Sequence, residues 1–378
     1  MGSRVGIIGY ALDKYGGDIV TSIEEAGFNV AKRAQLNSGI ERDEIGSVHN
    51  STMDMFDGIT ISNGILIAAA GGYNRDATRV QNGGLFAIIS ACAKILAGGS
   101  SVAVVSSTDS VKYDLLKVST MSTDPFFQQP LNYNYMTSYS LFSSQYLNQN
   151  GISDESYALV AAQNYRAGAS NPDAHIRSGY SLENVLSSPM VSWPLRTLEV
   201  VSDPAFGGAA VILASEEKAK AISASPLWIT GFGMGSNSVN IDESIKMMAL
   251  RKAARDAYRM AGVKDARREI DVAEINSPFS AWELAAYEAL NFCQGGKEEE
   301  LLKKGVTSLE GDLPVNPSGG TLCTNAPNSG GLFRFVQAAI YLHTDQKRNA
   351  RRALVHDSDM SIGLCGDSHA LVILEKEV

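Results

Sequence analysis

The sequence predicts an α/β protein of two similar βαβαβ halves, with a lid segment inserted into the first. Three observations predict it. Gly83-Gly84-Leu85-Phe86 opens an apolar stretch reaching Leu96, and Gly330-Gly331-Leu332-Phe333 opens a similar one reaching Leu342. The segments ahead of these two agree in the same order: 5–11, a helix near 22–37 and 45–51 match 227–234, a helix near 245–261 and 270–278. Between the halves, 112–192 resembles neither and is rich in Tyr, Asn, Gln, Ser and Met.

Each element has a local reason. Ile23, Ala26, Val30 and Ala34 share one face of the first helix, the stripe expected of a helix lying on a sheet. Similar residues end the paired helices at 34–39 and 257–262, and His49-Asn50-Ser51 aligns with Ile275-Asn276-Ser277. Both glycine-opened helices lead to hydrophobic strands, 101–106 and 352–356, as right-handed crossovers require. The inserted segment carries one clear helix, 154–169, with Ser153 as its N-cap, and a polar-aromatic run at 133–139. It reads equally as a lid or partner-binding region and as a cover for the sheet. The divisions are therefore 1–111 with 193–225, then 112–192, then 226–378.

Composition narrows the functions. At 378 residues, 44% apolar and 19% charged, the chain is globular and long enough for two or three domain-sized units. A net charge of -9 argues against nucleic-acid binding, which draws on phosphate neutralisation. The four cysteines, Cys92, Cys293, Cys323 and Cys365, form no closely spaced pair, so neither a metal site nor a disulfide framework is expected. No apolar run approaches the ~18 residues of a membrane span, and the N-terminus reads as a strand, so a cytoplasmic protein is expected.

Four motifs carry a family likeness. They are Ser202-Asp203-Pro204-Ala205-Phe206-Gly207-Gly208-Ala209-Ala210; Glu274-Ile275-Asn276-Ser277-Pro278-Phe279; Asn316-Pro317-Ser318-Gly319-Gly320 followed by Asn325-Ala326-Pro327; and Leu364-Cys365-Gly366 before a closing strand. In that order they resemble the DGAAA, NEAF, NxxGG…GHP and glycine-rich C-terminal motifs of the thiolase superfamily. The absence of long insertions resembles its archaeal and sterol-carrier branches. The resemblance covers nearly the whole chain and implies a thiolase fold, with layers ordered αβαβα.

The departures are specific. Family thiolases carry a nucleophilic cysteine ahead of the first buried helix, where counting along the helix places Gln81. The histidine of GHP is replaced by Ala326, or by Asn325 if the register shifts by one. Neither residue pair supplies a nucleophile or a base, so an acyl-cysteine intermediate is not expected. What the resemblance retains is Asn276 as an oxyanion donor, with Asn325 as a second donor or a turn residue. Cys365 falls in the loop supplying the family's acid/base cysteine, and would exchange protons only if its pKa is lowered. Cys323 is a weaker candidate for that proton exchange, and His369 is either the helper of Cys365 or a strand-entry histidine facing a partner or solvent. Gly319, Gly320 and Gly366 fall in turns implied to approach coenzyme A.

The function so implied is Claisen or retro-Claisen chemistry on a bulky β-ketoacyl-CoA such as benzoylsuccinyl-CoA; Phe126, Phe127, Tyr133 and Tyr135 of the lid suit an aromatic acyl group and a protein interface equally. Coenzyme A is then a substrate or product, and this chain holds no metal. Such subunits work with a small zinc-ribbon/OB-fold partner and pair as homodimers through a sheet edge in the first half, for which 102–107 is apolar enough, although a central strand would read the same. The alternatives are a CoA-ester retro-aldolase of the steroid side-chain type and a non-catalytic thiolase-like subunit.

Overall fold

The computed structural model describes residues 4–223, 225–237, 241–345, 348–359 and 368–377. Its strands are β1 Val5–Leu12, β2 Ser47–Ser51, β3 Asp76–Val80, β4 Val102–Asp109, β5 Met190–Ser192, β6 Leu195–Arg196, β7 Gly207–Ser215, β8 Leu227–Ser236, β9 Val272–Glu274, β10 Arg352–Ser358 and β11 Ser368–Lys376. Its helices of ten residues or more are α1 Ile23–Ser38, α2 Gly84–Leu96, α3 Tyr135–Asn150, α4 Asp154–Ser170, α5 Met248–Ala261, α6 Ser280–Ala289 and α7 Gly330–Thr344.

The main sheet has the order β3-β2-β4-β7-β1-β8-β11-β10-β9. In the first half β2 runs parallel to β3 and β4, while β7 lies antiparallel between β4 and β1. The second half repeats this: β9 is parallel to β10, and β11 lies antiparallel between β10 and β8. The counterpart of β3 shrinks to one parallel bridge, Ala273 to Val315. Three residue pairs join β1 to β8, so the two halves share one continuous sheet.

Burial sets the layers. Val30 and Ala34 of α1 pack on Val48, Val104 and Ile212, making one outer layer. Leu85, Ile88 and Cys92 of α2 and Leu332, Phe335 and Val336 of α7 pack on strands of both halves, including Val105, Leu213, Val355 and Val372. Leu250, Ala253 and Ala257 of α5 cover Leu371 and Ile373 from the far side. The result is the αβαβα order. The α5 backbone lies directly on β8: a Cβ at Gly231, Gly233 or Gly235 would sit 2.1–2.3 Å from the carbonyl oxygens of Ala257, Ala253 and Ala249. Alternate glycines on that strand are what close approach of a helix requires.

Two expectations change. The 112–192 segment holds a second long helix, α3, capped by Asn134, whose side chain accepts from Thr137 N. Its buried face mixes Ser138, Ser140 and Ser143 with Tyr139, Phe142 and Tyr146, so no apolar stripe advertises it. Tyr139 stacks on Phe279 at 4.4 Å, and the segment shares one core with α5 and α6. The strand proposed as a dimer edge, β4, is central, between β2 and β7; the edge of the first half is β3. An apolar central strand and an apolar covered edge read alike in sequence.

Candidate active site

A cleft of about 390 Å³, counting the space at its mouth, opens where the two halves meet. Met53 and Phe56 line it from the first half; Asn276, Thr321, Asn325, Ala326, Arg334 and 357–359 line it from the second. The room inside it is only about 20 Å³, space for a water-sized group and far less than a whole acyl-CoA needs. A more open cleft of about 1270 Å³, lined by Tyr113, His175, Ser202 and Phe206 among others, lies next to it. The two adjoin at Asn325, whose Nδ2 donates to the Ser202 carbonyl at 2.7 Å.

Asn276 follows β9. Its chain is fixed by Asn316, whose Oδ1 accepts from Ile275 N at 2.7 Å and whose Nδ2 donates to Ser277 and Glu283. Asn276 Oδ1 accepts from Thr321 Oγ1 at 2.9 Å. Its Nδ2 donates to the Ser358 carbonyl at 2.9 Å and lies 3.3 Å from Ser358 Oγ. Beneath, Arg334 and Asp357 form a buried ion pair at 2.7 Å. Burial pushes the Asp357 carboxyl up and the Arg334 guanidinium beside it pulls it back down. Asp359 is half-buried on the cleft wall, one oxygen accepting from Ser368 N.

The other candidates separate. Gln81 is exposed on the loop ahead of α2 and does not line the cleft. Asn325 and Ala326 both line it, so the register alternatives share one wall. Cys323 is fully buried against α4; its Sγ donates to the Asn164 carbonyl, and burial pushes the thiol up to about 12. His369 is buried rather than facing solvent, its Nδ1 3.0 Å from His356 Nε2, with both rings stacked on Trp282. Burial pushes His356 well below the usual histidine range, so that imidazole is neutral. Gly319 and Gly320 adopt left-handed backbone, φ 93° and 58°, in a buried turn where a Cβ would strike Gly168 and Asn316 respectively. They do not line the cleft. Cys365 and Gly366 lie outside the described residues.

Sequence reading missed Thr321, Arg334 and the Asp357-Ser358-Asp359 run. A signal was there: Arg334 is the one Lys, Arg, Asp or Glu in a mostly apolar helix, which is rare without a buried partner.

Residues 232–376 match the family described as thiolase C-terminal domain-like. The structure superposes on that of the Ltp2-ChsH2(DUF35) aldolase with a TM-score of 0.83, covering 98% of this chain and 97% of that one at 20% identity. The chain has the thiolase fold, and its second half matches a thiolase C-terminal domain. The acetyl-CoA acetyltransferase of Methanothermobacter thermautotrophicus is 30% identical over 206 residues, 53% of this chain and 52% of that one. The benzoylsuccinyl-CoA thiolase subunit BbsB of Thauera aromatica is 28% identical over 192 residues, 50% and 49%. This thiolase-like chain thus spans about half the length of these two relatives. Among its described residues no helix is long and apolar enough to cross a membrane, and no group of three or more His, Cys, Asp or Glu is placed to hold a metal.

Proposed function

We propose that this chain makes or breaks a carbon–carbon bond beside a CoA thioester without an acyl-cysteine. The observation that carries the reading is the wall of the cleft: Asn276 is on it, and none of Cys92, Cys293 and Cys323 is. In the cleavage direction the CoA sulfur adds to the β-ketone carbon and forms the new C–S bond. The Cα–Cβ bond then breaks, its electron pair passing to the thioester as an enolate. Asn276 stabilises that enolate oxygen, and such a donor contributes about 3 kcal/mol. The thiol proton passes to Asp359 and from it to the α-carbon, which closes the balance. The adjoining open cleft takes the pantetheine arm.

A bulky or aromatic acyl group such as benzoylsuccinyl is supported by the likeness to BbsB. A small zinc-ribbon/OB-fold partner is supported by the two-component name of the superposed aldolase and by BbsB being a subunit. Phe126 and Phe127, 80% and 78% exposed, offer that partner an apolar contact. A homodimer would form through the β3 edge, 112–192 would act as the lid between the 1–111/193–225 and 226–378 halves, and the unpaired cysteines fit a cytoplasmic site of action. A second reading, CoA-ester retro-aldol cleavage, is favoured by the same superposed aldolase.

Turnover of a β-ketoacyl-CoA and of the matching β-hydroxyacyl-CoA, each with and without free CoA, tests this. Cleavage of the ketone only when CoA is present supports thiolysis. Cleavage of the hydroxy ester without CoA transfers the reading to the aldolase. No cleavage of either, with CoA bound, leaves a non-catalytic subunit.

A further inference from the structure

The glycine pairs that open α2 and α7 have a shared purpose in three dimensions. A Cβ at Gly83 would sit 2.2 Å from Asp357 Oδ2, and one at Gly331 1.8 Å from the same oxygen. Only glycine at both positions lets two helix starts close on one carboxylate. Leu85 N, in the first turn of α2, donates to that oxygen at 3.2 Å. The other oxygen accepts from Arg334 NH2 at 2.7 Å. The head of α2, where thiolase superfamily members are expected to hold a nucleophile, is here closed on a fixed anion.

Asp357 thereby fixes Arg334, and Arg334 reaches the cleft. Its NH1 lies 3.3 Å from Thr321 Oγ1, which also accepts from Ser277 N at 3.1 Å. A hydroxyl has one proton and two lone pairs. With both lone pairs taken by N–H donors, the Thr321 proton has one direction left, the Asn276 Oδ1 at 2.9 Å. That fixes which end of the Asn276 amide is oxygen. The NH₂ end is then turned toward Ser358 and the cleft, the orientation an oxyanion donor needs.

We propose that Asp357, Arg334 and Thr321 form a positioning line that sets the amide orientation of Asn276. The proposal rests on the acyl-CoA reading for its kinetic consequence but not for its structural one. All three border the cleft, and the role proposed for them is exerted through Asn276. Gly83 and Gly331 leave the room that the Asp357 end of the line occupies.

Thr321→Val keeps the shape and removes the hydroxyl, whereas Thr321→Ser keeps the hydroxyl. For the valine variant kcat should fall about 10- to 100-fold with KM within about twofold, because a misaimed donor weakens the transition state alone. The serine variant should stay within about threefold of the parent in both constants. In asparagine-selective ¹⁵N spectra of the full chain, the Asn276 side-chain amide, assigned by its loss in Asn276→Asp, should move in the valine variant and hold in the serine variant. Valine and serine variants falling together, in step with their melting temperatures, would overturn the proposal, as would an unmoved Asn276 signal in the valine variant. A parent chain inactive even with its partner subunit, whose Asn276 signal nonetheless moves as described, would sink the acyl-CoA reading and leave the positioning line standing.

Discussion

Asn276→Ala should lower kcat by about 10²- to 10³-fold while leaving the substrate affinity nearly intact, the effect of deleting one oxyanion donor. The amide is held from three sides, by Thr321, by Ser358 and by the Asn316 clamp on the preceding backbone, so only the long N–H contact with Ser358 Oγ has to yield for it to meet the enolate. Alanine leaves the clamp untouched, because Asn316 bonds Ile275 rather than Asn276. Steady-state kcat and KM, measured beside the melting temperature, check it. A parallel fall in stability and rate would mean that the residue holds the loop and does not meet the substrate.

Arg334→Met should cost about 3–5 kcal/mol of stability, since it strands the Asp357 carboxylate where both helix starts exclude water. Side chains of the pair are 3% exposed each, so solvent offers no substitute partner. The loss should shrink as pH falls. Without the guanidinium, burial raises the Asp357 pKa further above its unfolded value, and a raised carboxyl stabilises the fold at low pH and loses that contribution as pH rises. Restoring neutrality with Arg334→Met/Asp357→Asn should recover part of the loss. Urea unfolding at several pH values measures all three; a single variant as stable as the parent at neutral pH would contradict the buried pair.

The halves were legible because their evidence is local and repeated: glycine pairs, an amphipathic α1 and apolar strands in one order. The outermost strand of the second half was not, since it survives only as the bridge at Val315. Nor was α3, whose inner face mixes buried serines with aromatics, Ser140 bonding Ser192 of β5, and so shows no apolar stripe. Asn276 was legible through its motif. Its supports were not, because Thr321, Arg334 and Ser358 converge on it from segments 45–82 residues away in the chain. Cys323 and His369 looked chemical in sequence because thiols and imidazoles usually are candidates. The fold spends both on packing, one against α4 and the other on Trp282.

The central claim is carbon–carbon chemistry on a CoA ester with no acyl-cysteine. Weighing the intact chain after rapid quenching during CoA-dependent turnover tests it most directly. The account predicts the unmodified mass throughout the reaction. An added acyl mass that forms and decays at the rate of turnover, and maps to a cysteine, would contradict it.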